Sequence, residues 1–181
     1  MIVFFGPAGA GKSVQGQMLA ARMNWRWLSA GQLLRDTHDP AIIEHLQTGK
    51  LVPNDMIQRI MGEALKRAET VNHVILDGFP RMLDQAKWLI DSQPEHGRAV
   101  NVIVVLEVPR EELLKRLEVR GRADDTPEAI DERLNIYRQE IYPILNYFTE
   151  QHIPIAHIDG MGSVGQIHDR IAKEITSRGI A

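Results

Sequence analysis

The chain has 181 residues, of which 44% are hydrophobic and 25% charged, and its formal net charge is −3. This length and balance predict one globular domain with a sizeable core, and they argue against a disordered chain or a partner that is nucleic acid or membrane. The chain has no cysteine, which excludes disulfides and thiolate zinc sites, and no apolar run approaches the roughly 20 residues of a spanning helix, so a cytoplasmic location is expected.

Short β-branched runs alternate with amphipathic stretches along the chain. The predicted strands are 2–6, 25–29, 73–78, 101–108 and 154–160. Three of these runs are almost continuously apolar, as expected for strands covered on both faces. The alternation of strands with helices predicts an α/β fold, a doubly wound parallel sheet of five strands with helices on both faces.

The first predicted strand leads into the glycine-rich stretch GPAGAGKS, residues 6–13, and a predicted helix follows. This stretch fits the P-loop pattern G-x-x-x-x-G-K-[S/T] in the strand–loop–helix context that the motif requires. Its glycines let backbone N–H groups point inward, and the helix N-terminus adds partial positive charge. Lys12 is then placed to reach the β- and γ-phosphates of a nucleoside triphosphate, and Ser13 to offer a hydroxyl to Mg²⁺. The alternative, a glycine-rich turn without a ligand, does not explain the lysine and the hydroxyl.

Prolines mark the starts of three later helices. Helices are predicted after Pro53 and after Pro109. Thr126 and Pro127 fit an N-cap followed by proline at the first helical position, and Pro143 should kink or end the long helix that they open.

Arginines near strand ends are the next candidates, because phosphoryl transfer needs aligned substrates and positive charge around the moving group. Arg35 follows the second strand in LSAGQLLRD, and Arg81 follows the third in LDGFPR. Another group lies further along the chain at Arg116, Arg120, Arg122 and Arg133. The guanidinium group holds phosphate oxygens at two points and keeps its charge. A solvent-exposed role suits Arg110 and Arg170 better.

Five motifs follow one another along the chain: GPAGAGKS, LSAGQLLRD, TGKLVPND, LDGFPRMLDQ, and RGRADD followed by ERLNIY. In this order they resemble the nucleoside monophosphate kinases of the adenylate kinase and UMP/CMP kinase type, over essentially the whole chain. The resemblance implies a P-loop NTPase-like fold with a small segment that binds the nucleoside monophosphate (NMP), at about 30–59, and a short lid at about 119–126. It implies Mg²⁺-dependent transfer from ATP to an NMP by a monomer, without zinc.

The resemblance also implies roles for particular residues. ATP would be bound by Gly9, Ala10, Gly11, Lys12, Ser13, Val14 and Arg116, with Arg116 against the adenine. The acceptor would be bound by Ala30, Arg35, Leu51, Val52, Gly78, Arg81 and Gln85. The catalytic residues would be Lys12, Arg81, Arg120, Arg122 and Arg133. Mg²⁺ would be held by Ser13 and, partly through water, by Asp77, while Asp124 and Asp125 would pair with arginines when the lid closes.

The acceptor base is suggested by motifs that point in two directions. Ser29-Ala30-Gly31 is familiar from UMP/CMP kinases, where adenylate kinases usually have Ser-Thr-Gly. Met82 stands where UMP/CMP kinases usually carry asparagine, and the amide of Gln85 can donate and accept at once to a base edge. AMP is therefore the expected acceptor, with CMP or UMP as the alternative. A nucleotide-binding module with little turnover is a further alternative.

Two departures from the usual adenylate kinase pattern concern the phosphates. Ser13-Val14 replaces the usual Gly-Thr, although Ser13 restores the general P-loop hydroxyl. Only Gly121 separates Arg120 from Arg122, so the predicted lid is minimal. Either the two arginines share one role, or the closed site excludes water less completely than is usual in this family.

Overall fold

The computed structural model describes residues 1–122 and 125–180. One parallel sheet has the strand order β2-β3-β1-β4-β5. Its strands are β1 Ile2–Phe5, β2 Arg26–Ser29, β3 Val74–Asp77, β4 Val102–Glu107 and β5 Ile155–Asp159. Each lies inside a run predicted from the sequence, and the α/β fold with a five-stranded parallel sheet is confirmed.

Helices connect these strands throughout the described part of the chain. They are α1 Lys12–Met23, α2 Ala30–Asp36, α3 Pro40–Thr48, α4 Asn54–Arg67, α5 Leu83–Asp91, α6 Gln93–His96, α7 Arg110–Arg120, α8 Pro127–Glu150 and α9 Val164–Ser177. The predicted N-cap of α8 is confirmed, since the Thr126 side chain accepts a hydrogen bond from the Ala129 N–H at 3.2 Å.

Two hydrophobic cores cover the two faces of the sheet. Ile2 and Phe4 of β1 pack in the core that α1 and α9 close, whereas Val3 and Phe5 pack with α2 to α5 and α8. Successive strand residues point to opposite faces, so a continuously apolar strand serves both cores.

Of the two effects expected of Pro143, a kink or an end, helix α8 does not show the second, since it continues to Glu150. A proline removes one helical hydrogen bond. On either side of it, Ile141 is 7% exposed and Ile144 is 1% exposed. Burial of these neighbours stabilises the helix across the proline.

The carboxyl ends of the strands define where a ligand can bind. β1 lies between β3 and β4, and the chain leaves β1 and β4 toward opposite edges of the sheet. In doubly wound sheets the crevice at such a switch point is the usual ligand site. No helix of the described residues is long and apolar enough to cross a membrane.

Candidate active site

The glycine-rich loop between β1 and α1 forms the floor of the site. Gly11 precedes α1 with a φ of 99°, a left-handed conformation that favours glycine, and no side chain caps the helix. The first N–H groups of α1 therefore stay available to an anion. Lys12 donates from Nζ to the carbonyl oxygens of Gly6 at 2.7 Å and Pro7 at 2.9 Å, so its ammonium lies over the loop.

Burial lowers the pKa of Lys12 to about 8. The Asp77 carboxylate acts in the opposite direction, and the nearby charges of Arg81 and Arg120 reinforce the lowering. A bound phosphate would place further negative charge beside the ammonium and so stabilise its charged form.

Ser13 and Asp77 meet at the ends of α1 and β3. The Ser13 Oγ donates to Asp77 Oδ2 at 2.6 Å, and Asp77 is only 3% exposed. Among the described residues, no group of three or more acidic or histidine side chains could hold a metal by itself. A hydroxyl beside one carboxylate instead suits Mg²⁺, which keeps several waters and takes its other oxygens from phosphates.

The arginines that the sequence analysis expects on the acceptor side lie beside β2 and β3. Arg35 lies on α2, whose first turn is capped by Ser29, and its Nη2 donates weakly to Gln32 Oε1 at 3.5 Å. Arg81 donates from Nε to the Gly78 carbonyl at 2.9 Å. Both guanidinium groups line the same cleft as Lys12.

Arg120 and Arg133 share one carboxylate. Arg120 makes two hydrogen bonds to Asp125, at 2.7 and 2.5 Å, and Arg133 makes one at 3.0 Å. Burial tends to raise the pKa of Asp125, but the hydrogen bond and charge of Arg120, together with Arg133, hold it below its usual value. Arg133 also donates to the Leu46 carbonyl at 2.8 Å, which links α8 to the end of α3. The predicted pairing of Asp124 lies outside the described residues.

One cleft of about 770 Å³ brings most of the predicted site together. It is lined by Gly9, Gly11, Lys12, Ser13, Val14, Arg35, Asp77, Gly78, Arg81, Arg116, Arg120, Arg122 and Arg133. Leu51 instead lines an adjoining cavity of about 90 Å³, together with Lys12, Arg81 and Arg133. Ala10, Ala30 and Val52 are buried and line neither space.

Gln85 has a more interior position than a base-reading residue suggests. It is 2% exposed and lines neither space, and both ends of its amide have protein partners. Its Oε1 accepts from the Arg81 N–H at 2.7 Å, and its Nε2 donates to Asn54 Oδ1 at 2.9 Å.

The far end of the cleft includes residues that sequence reasoning did not assign. Gly162, Val164 and Ile167 line it from the start of α9, and Gln15 donates to the Val164 carbonyl at 2.9 Å. Arg116 lies nearby, bound to Glu112 at 2.8 Å and to the Gly160 carbonyl at 2.9 Å. The stretch after β5 could have been found as a candidate, because it follows the carboxyl end of a sheet strand.

Comparisons with known proteins agree with this geometry. A protein-family model described as "Adenylate kinase" matches residues 4–153. The adenylate kinase of Mycolicibacterium paratuberculosis is 34% identical over 175 residues, covering 93% of this chain and 95% of that protein. The adenylate kinase of Thermus thermophilus is 35% identical over 180 residues, covering 94% of each chain.

Proposed function

Since the chain belongs to the adenylate kinase family, we propose that it transfers the γ-phosphoryl group of ATP to AMP, so that both nucleotides become ADP. The observation that carries the proposal is that one cleft is lined by the P-loop and also by Arg35 and Arg81. A protein that only bound ATP would have no use for this second pair of phosphate-binding side chains.

The reaction requires alignment and charge compensation more than proton transfer. The acceptor oxygen belongs to a phosphate anion, so no general base is needed. Lys12 and the N–H groups at the start of α1 would hold the donor phosphates, while Arg35 and Arg81 would hold the acceptor phosphate. Arg120, Arg122 and Arg133 would surround the transferring group and compensate its charge.

Mg²⁺ is the metal that this family uses with ATP. Ser13 and Asp77 would hold it, directly or through water, at the P-loop end of the cleft. When bound, the metal would neutralise charge on the β- and γ-phosphate oxygens.

The first test is formation of diphosphate from ATP with AMP, CMP, UMP, GMP or no acceptor, at matched Mg²⁺. Preference for AMP is the expected result. Preference for CMP or UMP would make Ala30 the better guide to the base. Binding of ATP without transfer to any acceptor would contradict the proposal and leave a nucleotide-binding module.

Arg81→Ala tests the acceptor side. Removing a guanidinium that grips the acceptor phosphate should lower kcat/KM for AMP on the order of 10³-fold, with ATP binding kept. Arg110→Ala is the matched control, because Arg110 is exposed at the start of α7, pairs with Asp131 and does not line the cleft. Near-normal transfer by Arg81→Ala would rule out the assigned role.

We also propose that one chain is the active unit, because the donor side and the acceptor side are both built from it. Specific activity should then be independent of enzyme concentration, and light scattering should give the mass of a monomer. Activity that falls on dilution would contradict this.

A further inference from the structure

The amide of Gln85 is held between two partners from different parts of the chain. Arg81 offers a backbone N–H to Oε1, and Asn54, the first residue of α4, accepts from Nε2. Gln85 itself lies in the first turn of α5. The contact therefore joins the stretch TGKLVPND to LDGFPRMLDQ across the acceptor side.

The backbone N–H of Arg81 fixes which end of the amide is which. Turning the amide over would place its NH₂ group against this N–H, so that two donors would face each other. A backbone N–H cannot exchange its role with an acceptor, and Gln85 is buried away from water that could replace the lost bond. Oε1 must therefore stay on the Arg81 side and Nε2 on the Asn54 side.

This arrangement leaves one acceptor and one donor for a ligand, in a set order. A carbonyl oxygen has two lone pairs and an amide nitrogen has two hydrogens, so one of each remains after the two observed bonds. Adenine and cytosine present an amino donor beside a ring-nitrogen acceptor. Hypoxanthine, guanine and uracil present a carbonyl acceptor beside a ring N–H, which is the opposite order. With its phosphate held by Arg35 and Arg81, a base of the opposite order would have to turn about its glycosidic bond to match Gln85.

We propose that Asn54 is a positioning residue that, with the Arg81 N–H, fixes the donor–acceptor order of Gln85 and so selects acceptor nucleotides whose base carries an exocyclic amino group. This inference rests on the proposed function, because it needs the acceptor base to reach the amide of Gln85, which is 2% exposed and lines neither of the two spaces described above. It separates amino from oxo bases and does not by itself separate adenine from cytosine.

The test compares AMP with IMP, whose bases differ in the amino or oxo group at position 6 and in the proton that the oxo base carries on the neighbouring ring nitrogen. The wild-type chain should prefer AMP in kcat/KM by about 100-fold or more, because a site built to hydrogen-bond one pattern rejects the other. In Asn54→Leu the acceptor at Nε2 is lost, and the AMP/IMP ratio should fall about tenfold, chiefly through KM for AMP. KM for ATP should not change.

Asn54→Asp is the matched rescue variant, because a carboxylate accepts from Nε2 without being able to turn into a donor. Its AMP/IMP ratio should stay within about threefold of wild type. If Asn54 had a merely structural role, the AMP/IMP ratio would instead change equally in Asn54→Leu and Asn54→Asp. Thermal unfolding of both variants gives the folding control, and Asn54→Ala carries the same test if Asn54→Leu does not fold.

The outcomes separate the inference from the proposed function. An AMP/IMP ratio unchanged in Asn54→Leu, or lost equally in Asn54→Asp, would overturn the positioning role while leaving the kinase reaction intact. A wild-type chain that phosphorylates no nucleoside monophosphate would overturn the proposed function itself, and the inference with it.

Discussion

Lys12 is a residue whose pKa depends strongly on its surroundings. In the folded chain its pKa is about 8, lowered mainly by burial, against an ordinary value of 10.5. Between these values the unfolded chain binds more protons than the folded one, so the contribution of Lys12 to stability rises with pH across this window. A bound triphosphate would favour the ammonium and raise its pKa. Binding of ATP should therefore take up a proton above about pH 8 and weaken as the pH rises further.

Calorimetry in buffers of different ionisation enthalpy measures this uptake. At about pH 9 we expect close to one proton per ATP bound by the wild-type chain. Lys12→Arg is the control, since a guanidinium stays charged and has no proton to gain. Equal uptake by the two proteins would show that another group is responsible.

Ser13 and Asp77 form the second prediction at this scale. Ser13→Ala removes the hydroxyl that lies 2.6 Å from Asp77, and it should raise the Mg²⁺ concentration needed for half-maximal activity by about tenfold. Ser13→Thr keeps a hydroxyl at this position and should stay near wild type. A titration of activity against Mg²⁺ distinguishes them, and an Ala variant with a wild-type midpoint would remove Ser13 from the metal site.

The positions of the candidate site residues were partly predictable from the sequence. The P-loop pattern places Lys12 and Ser13 because its backbone geometry is local to one loop and one helix. The position of Gln85 was not predictable to the same degree, because its partner Asn54 lies on α4 and only packing of α4 against α5 brings the two together. Its base-reading role stays a prediction.

At the scale of elements, the segment proposed to bind the acceptor packs directly on α8. Gly49 ends α3 with a φ of 76°, and a Cβ placed there would lie 2.6 Å from the Ala129 carbonyl in the first turn of α8. Only a residue without a side chain allows this approach. This close approach of Gly49 to Ala129, together with the hydrogen bond from Arg133 to Leu46, holds α3 against α8 beside the cleft.

Gly49→Ala should therefore both destabilise the fold and disturb the acceptor side. Gly97→Ala is the matched control, because Gly97 also has a positive φ, of 63°, but open space where a Cβ would be. The control should cost about 1 kcal/mol in the free energy of unfolding, and Gly49→Ala about 2 kcal/mol or more. Urea unfolding measures this difference.

Steady-state kinetics then test the local effect. KM for AMP should rise in Gly49→Ala and stay unchanged in Gly97→Ala, with KM for ATP unchanged in both. Equal behaviour of the two variants would mean that the contact with α8 does not position the acceptor segment.

Elements were the most predictable level of this molecule. The apolar runs predicted β1, β3 and β4 because burial on both faces leaves a continuous signal in the sequence, whereas the edge strands β2 and β5 are partly exposed and give a weaker one. The course of α8 past Pro143 was not predictable, since it depends on the burial of Ile141 and Ile144 by other elements. Local helix propensity carries no information about such packing.

At the scale of the whole molecule, one carboxylate links helices that line the cleft. Asp125 holds Arg120 at the end of α7 and Arg133 on α8, and Arg133 reaches the end of α3. Only residues 121–126 connect α7 with α8. The spacing of Arg120 and Arg122, with only Gly121 between them, predicts a minimal lid here, whereas the sharing of Asp125 depends on how the helices meet in space.

The shortness of this connection has a hydrodynamic consequence. A large closing domain must displace solvent in every catalytic cycle, and such motions often limit turnover. With only residues 121–126 between α7 and α8, this chain has no large lid domain there that would have to move through solvent. Its kcat should therefore be nearly independent of solvent viscosity in sucrose, with a slope of about zero against relative viscosity. A slope of about one would contradict this and would indicate that a diffusive step limits the rate. With a slope of about zero, turnover is not limited by a motion through solvent.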